Sequence, residues 1–166
     1  VIYNRIVDNN YGSSVHNILT KKIIREYQYP IYSLTSDSKY ALTLNFSRLG
    51  VFRPGYGYNN FKCKNKNICA PSDDGIWLLD MESGKVDLLF SIKDVINIEP
   101  KKTMENATHY FNHLSPNPNG NRFLFLHIWI LNKKRYTRLV TADMNGKNLY
   151  VLNNEGMSSH YCWKTD

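Results

Sequence analysis

His113-Leu-Ser-Pro-Asn-Pro-Asn119-Gly120 and His160-Tyr-Cys-Trp-Lys-Thr-Asp166 are one stretch written twice, at an offset of 47 residues. Histidine falls on histidine, and Asn119 falls on Asp166. A second offset, of 82, sets Ser36-Asp37-Ser38-Lys39-Tyr40-Ala41-Leu42 on Pro118-Asn119-Gly120-Asn121-Arg122-Phe123-Leu124. In both copies a polar turn precedes an apolar strand. A repeat of this length, closing each hairpin with a polar turn, is what stacked four-stranded blades produce. The reading is therefore all-β: a β-propeller fragment of about three to four four-stranded blades. A parent ring of six or seven blades is expected.

The blades can be placed along the chain. Residues 1–29 supply the outer part of one blade, with strands at Val1 to Val7, Ser14 to Ile18 and Ile23 to Tyr27. Residues 30–92 form a second, with inner strands Ile31 to Leu34 and Tyr40 to Phe46 and an outer hairpin Gly75 to Asp80 and Val86 to Phe90. Between its halves runs a Gly/Asn/Lys-rich loop from Ser47 to Asp74 with few strand signals of its own. Lys93 to Ile98 suggests a helical turn. Residues 108–154 form the third blade, with strands Phe111 to Ser115, Arg122 to Ile130, Arg135 to Asp143 and Asn148 to Leu152. Asn145-Gly146 is a strong hairpin signal, because both residues tolerate positive φ. Residues 158–166 open a fourth blade.

Composition narrows the class. With 166 residues, 42% hydrophobic and 21% charged, the chain can bury a real core and is not a disordered segment. No apolar run approaches the roughly 20 residues of a membrane helix, so no membrane span is expected. A net charge of +7 invites nucleic acid as a partner. The lysines fall at turns and loops, such as Lys21-Lys22, Lys101-Lys102 and Lys133-Lys134, which reads as a solvated surface and argues against that partner. The N-terminal Val1-Ile-Tyr-Asn reads as a strand, without initiator Met or signal core. Taken alone this favours the cytoplasm; read with the unfinished last turn it suggests a piece of a longer protein, which leaves the compartment open. Cys63 and Cys69, in the long loop, suit neither a zinc knuckle nor a redox pair, and Cys162 reads as a small buried residue of an inner strand.

Blade geometry also sorts candidate site residues. Residues that open a first strand and residues that close a second strand share one rim. His113 and His160 are assigned to strand openings, His127 and Asn45 to strand closings, and the Ser47 to Asp74 loop leaves from that rim. Asn45, Arg48, Arg53, Tyr56, Tyr58, Asn112, His113, His127 and His160 are thus expected on one face near the channel. Arg53-Pro-Gly-Tyr-Gly-Tyr58 combines planar donors, turn glycines and aromatic rings, a chemistry for sugar or carboxylate recognition. His113, His127 and His160 together form a candidate ligand set for a divalent metal such as zinc or manganese. No cofactor is required by any motif: there is no phosphate loop, nucleophile elbow or zinc-protease signature. His16 and His109 have no equivalent in the repeat and are expected at the surface.

The Leu-x-Asp-x-x-x-Gly-Lys pattern of Leu78 to Lys85 and the Ser/Pro-Asp/Asn-Gly turns resemble the blades of TolB-type β-propellers. The phrases Tyr32 to Arg48, Arg53 to Tyr58, Asn112-His113 and Ser159 to Trp163 resemble a bacterial group of uncharacterised propellers found near polysaccharide genes. This resemblance, over nearly the whole chain, implies the propeller fold, which hosts enzymes, scaffolds and binding modules alike. The rim of three histidines and the Arg/Tyr loop makes a module that binds a carbohydrate or another small anionic ligand the leading expectation. Asn112-His113, His127 and His160-x-x-Trp163 are also similar to oligogalacturonate lyases, which implies the rival reading of a metal-dependent polysaccharide lyase or hydrolase. Ile128-Trp129 departs from the acidic, Gly-containing stretch of that family. A protein-interaction scaffold is the third reading.

Overall fold

The computed structural model describes residues 1–165. Asp166, the partner of Asn119 in the repeat, lies outside the described residues. Among them, eleven strands form three antiparallel sheets, each a meander whose neighbours in sequence are neighbours in space. The first sheet holds β1 (Ile2–Val7), β2 (Asn10–His16) and β3 (Ile23–Tyr27). The second holds β4 (Ser33–Leu34), β5 (Tyr40–Leu44), β6 (Gly75–Asp80) and β7 (Val86–Ser91). The third holds β8 (Thr108–Pro116), β9 (Arg122–Leu131), β10 (Lys134–Asp143) and β11 (Tyr150–Asn153). No helix among the described residues is long and apolar enough to cross a membrane.

Turn chemistry explains where these strands stop. Asp8-Asn9 and Asn132-Lys133 are two-residue hairpin turns with all four residues at positive φ, the geometry that matches strand twist. The first moves β2 to Asn10–His16, earlier than the expected start at Ser14. Between β8 and β9, the Asn117 carboxamide oxygen accepts from the backbone N–H groups of Asn121 and Arg122 at 3.0 Å each. Asp80 does the same for Glu82 and Ser83 in the β6–β7 turn.

Two departures matter for the site. The connection after β5 was expected to be irregular, yet it begins with helix α1 (Phe46–Phe52), N-capped by Asn45, whose side chain accepts from the Arg48 N–H. Helix α2 (Ile92–Ile96), where a helical turn was expected, carries a full Ser91–Asp94 capping box. Conversely, 158–163 forms no strand: among the described residues it has no ladder to pair with and lies along β8 through side chains. Cys162 is accordingly exposed rather than buried, and all three cysteines are free thiols.

The second sheet is covered on both faces. Along β5, Leu42 and Leu44 join the main core with Phe46, Leu49, Ile76, Phe111 and Phe125, facing the third sheet. Ala41 points the other way and packs with Tyr27, Leu79 and Met81 against the first sheet. Strand periodicity alone requires that split.

The third sheet buries a polar chain instead of leaving histidines at the surface. The Arg138 Nε–H donates to Nδ1 of His127 at 2.9 Å. A guanidinium cannot accept, so the His127 proton sits on Nε2, which donates to Nδ1 of His109 at 2.9 Å. That leaves the His109 proton on Nε2, donating to the Met104 carbonyl at 3.1 Å. His109 and His127 are thus fully buried residues, contrary to the surface and rim positions expected of them. The cause is position along the strand: β9 runs to Leu131, one residue past the expected end at Ile130, so His127 lies in mid-strand and not at its close, with Ile130 still paired to Thr108 on β8.

Both imidazoles are neutral. Burial, assisted by the Arg48 and Arg138 charges, lowers His109 to about 4, and burial, then Arg138 and His109, holds His127 well below its ordinary value. As pH falls below 6.5 the unfolded chain takes up protons that the folded chain refuses. Stability should therefore be full above that value and fall steadily toward pH 4, by about 3 kcal/mol from His109 alone. Urea midpoints measured at pH 7.5 and 5 would show it; a flat profile would contradict the buried neutral pair.

Candidate functional site

His113 sits on a β-bulge. Asn112 pairs with Leu126 and Ser115 with Leu124, so His113 and Leu114 together oppose one residue of β9. The extra residue sends Leu114 into the core and turns His113 outward at φ +54°. His160, its partner in the repeat, also has positive φ, at +37°. Non-glycine residues seldom adopt this region, and backbone of this kind concentrates at sites with a task. The two equivalent histidines share one unusual conformation and one cavity.

That cavity measures about 330 Å³ and is lined by Tyr32, Arg53, Tyr56, His113, Leu114, Ser115, Ser159, His160 and Tyr161. The hydroxyl of Tyr32 accepts from the His113 N–H at 3.0 Å and donates to the Asn112 carboxamide at 2.8 Å. Tyr161 donates to the His113 carbonyl. Backbone groups freed by the bulge are thereby satisfied, which holds the imidazole in place. The Arg53 guanidinium lies over the Tyr56 ring at 4.8 Å, and that ring meets His113 edge-on at 5.9 Å. Nδ1 of His160 is 2.8 Å from the Ser159 hydroxyl.

The electrostatics favour an anion. One guanidinium and two imidazoles line the cavity, and no carboxylate does. Burial, followed by the His160 and Arg53 charges, holds His113 below the ordinary histidine range, so it is neutral at pH 7, and an anion bound beside it would favour its taking up a proton from solvent. Burial raises Tyr32 and Tyr161, which stay protonated donors.

Arg53 and Tyr56 reach the cavity because α1 is fastened to β8. Arg48, expected at the rim, is only 2% exposed. Its Nε–H donates to the His109 carbonyl at 2.8 Å, and its remaining N–H groups donate to the carbonyls of Asn65, Ile68 and Cys69 at 3.0–3.1 Å. Beside it, buried Asp74 accepts from Asn45 and Asn65 at 2.8 and 2.9 Å, with its pKa raised by burial. Beyond the helix, the chain folds back so closely that a Cβ on Gly57 would stand 2.2 Å from the Gly50 nitrogen.

Of the nine expected site residues, Arg53, Tyr56, His113 and His160 converge, with Asn112 behind them. Asn45 and Arg48 are consumed by the α1 cap and the buried fork. Tyr58 turns away, stacked on Phe46 at 4.6 Å and accepting from Asn4 at 3.0 Å. His127 is enclosed with both ring nitrogens engaged. The set His113, His127 and His160 therefore does not fit a shared metal ion, and among the described residues no three His, Cys, Asp or Glu side chains are grouped to hold one. Tyr32 and Tyr161 were missed; the clue was the adjacency of Tyr161 to His160.

No match to the chain is found among protein-family models, curated proteins or solved structures.

Replacing Arg48 by Met should cost about 3 kcal/mol or more, because four carbonyls lose a buried donor. Arg48→Lys should recover little, since an ammonium cannot span the fork. Urea unfolding of both variants checks this, and a parent-like midpoint for Arg48→Met would overturn it.

Proposed function

We propose that the Arg53–Tyr56–His113–His160 cavity binds a small anionic ligand, and that an acidic carbohydrate suits it best. The observation that carries this reading is a lining of one guanidinium, two imidazoles and three phenols with no carboxylate. A uronate carboxylate would take the Arg53 N–H groups, and the sugar ring would lie against an aromatic face such as Tyr56. The bulge and its tyrosine contacts hold His113 ready, which limits the ordering cost on binding.

We further propose that the three sheets are successive blades of a β-propeller. In support, turns equivalent at the offset of 82 residues lie side by side: the Ser36 hydroxyl donates to the Pro118 carbonyl at 2.6 Å. The second sheet is also sandwiched face to face between the other two. Radial repetition would bring His113 and His160 together as neighbours around an axis.

Isothermal titration with oligogalacturonate and with a neutral galactose oligomer tests the anionic reading. Oligogalacturonate should bind and the neutral oligomer should not compete at this cavity. Arg53→Ala should weaken binding about tenfold or more, the loss of one charge-assisted contact. Affinity should also rise as pH falls from 7 toward 5, because binding favours the protonated form of His113. Oligogalacturonate displaced by the neutral oligomer, or an Arg53→Ala variant of parental affinity for oligogalacturonate, would rule the reading out.

A further inference from the structure

A second cavity, of about 300 Å³, opens between the first and second sheets and shares no lining residue with the first. Asn10, Gln28, Tyr29, Thr43, Ser47 and Trp77 supply its polar and aromatic groups. Its lining contains no Asp, Glu, Lys, Arg or His. Along β5, Leu42 and Leu44 face the core toward the third sheet, so Thr43 faces the opposite way, beside its cross-strand partner Trp77.

Two side chains here lack partners. The Thr43 residue is 1% exposed, and its hydroxyl is buried without any hydrogen bond. Buried hydroxyls are nearly always paired, so an orphan on a cavity wall points to a group that occupies the cavity. Trp77 stands at a bulge between Ile76 and Trp77 in the β6–β7 ladder, half-exposed. Among the described residues its indole makes no hydrogen bond or ring contact. Tyr29, 42% exposed, presents a second ring.

We propose that this cavity is a binding subsite for a neutral pyranose. Flat apolar rings meet the C–H face of a sugar, and neutral hydroxyl and amide groups meet its hydroxyls. A charged ligand would find no counter-charge in the lining. The proposal does not rest on the anionic reading of the first cavity. The two cavities lie at opposite ends of α1, whose seven residues span about 10 Å. If both are filled together, the ligand is an oligosaccharide with one neutral and one acidic unit.

The test follows the indole N–H resonance of Trp77 in ¹⁵N-labelled protein, assigned by its loss in Trp77→Phe. Neutral methyl pyranosides of the manno, gluco and galacto series are titrated into the millimolar range, with glycerol as the acyclic control. At least one pyranoside should move the resonance saturably, and glycerol should not. Thr43→Val keeps the shape and removes the orphan hydroxyl, so it should leave Tm unchanged or raised while weakening binding about fivefold. Tyr29→Ala, at an exposed ring, should weaken it too, and Arg53→Ala should leave it unchanged. No shift with any pyranoside, an equal shift with glycerol, or undiminished binding by both Thr43→Val and Tyr29→Ala would overturn the proposal.

Discussion

The guanidinium of Arg48 is the joint on which the rest of this structure turns. It leaves α1, crosses to the His109 carbonyl of β8 and then to three carbonyls of the following loop. A planar fork with five donors can make that set of contacts; no other side chain can. Through it, a connection of nearly thirty residues that would otherwise be solvated chain becomes a wall of the core. Once α1 lies against β8, its C-terminal end must deliver Arg53 and Tyr56 beside His113, and its N-terminal end must deliver Asn45 and Ser47 to the opposite cavity.

A second guanidinium, Arg138, does the same for the connection between the second and third sheets. It donates to the carbonyls of Val95, Ile98 and Glu99 while its Nε–H orients His127. Both buried arginines are satisfied chiefly by backbone oxygens, and burial lowers the pKa of each. Burial keeps the neighbouring imidazoles neutral, and the arginine charges, only partly compensated by carbonyl acceptors, add to it. The directional chain from Arg138 to Met104 admits a single proton arrangement, and such a network selects one register among apolar strands that could otherwise slip.

The two cavities differ in kind because of what surrounds them. One lies at a bulge, where a strained histidine meets an arginine and three phenols. The other lies between the first and second sheets, with a lining free of charged side chains and an unpaired threonine hydroxyl. An unsatisfied buried hydroxyl weakens the fold, so its retention makes sense as a concession to binding.

Local chemistry made much of this chain legible in advance. Strands β3 and β6 occupy the residues expected of them, and the turns after Asp80 and Asn117 close through those side chains; at Asn145-Gly146 only the glycine takes positive φ, so that turn closes over Asp143 to Gly146 instead of as a two-residue hairpin. Those features are encoded within a few positions, as alternation and as side chains that cap their own backbone. The all-β class came from the same short-range signals, and the equivalence of His113 and His160 from a repeat at an offset of 47 residues. What sequence did not reveal was α1, whose signal was Phe46, Leu49 and Phe52 behind an Asn45 cap, lost among loop residues. Nor did it reveal which histidines are buried. His109 and His127 are 18 positions apart and meet only because β8 and β9 pair from Thr108–Ile130 to Asn112–Leu126, ahead of the bulge, with Arg138 reaching in from β10. Strand alternation and turns are properties of neighbours in sequence; burial, protonation and the walls of a cavity are properties of neighbours in space, and only the packed sheets decide those.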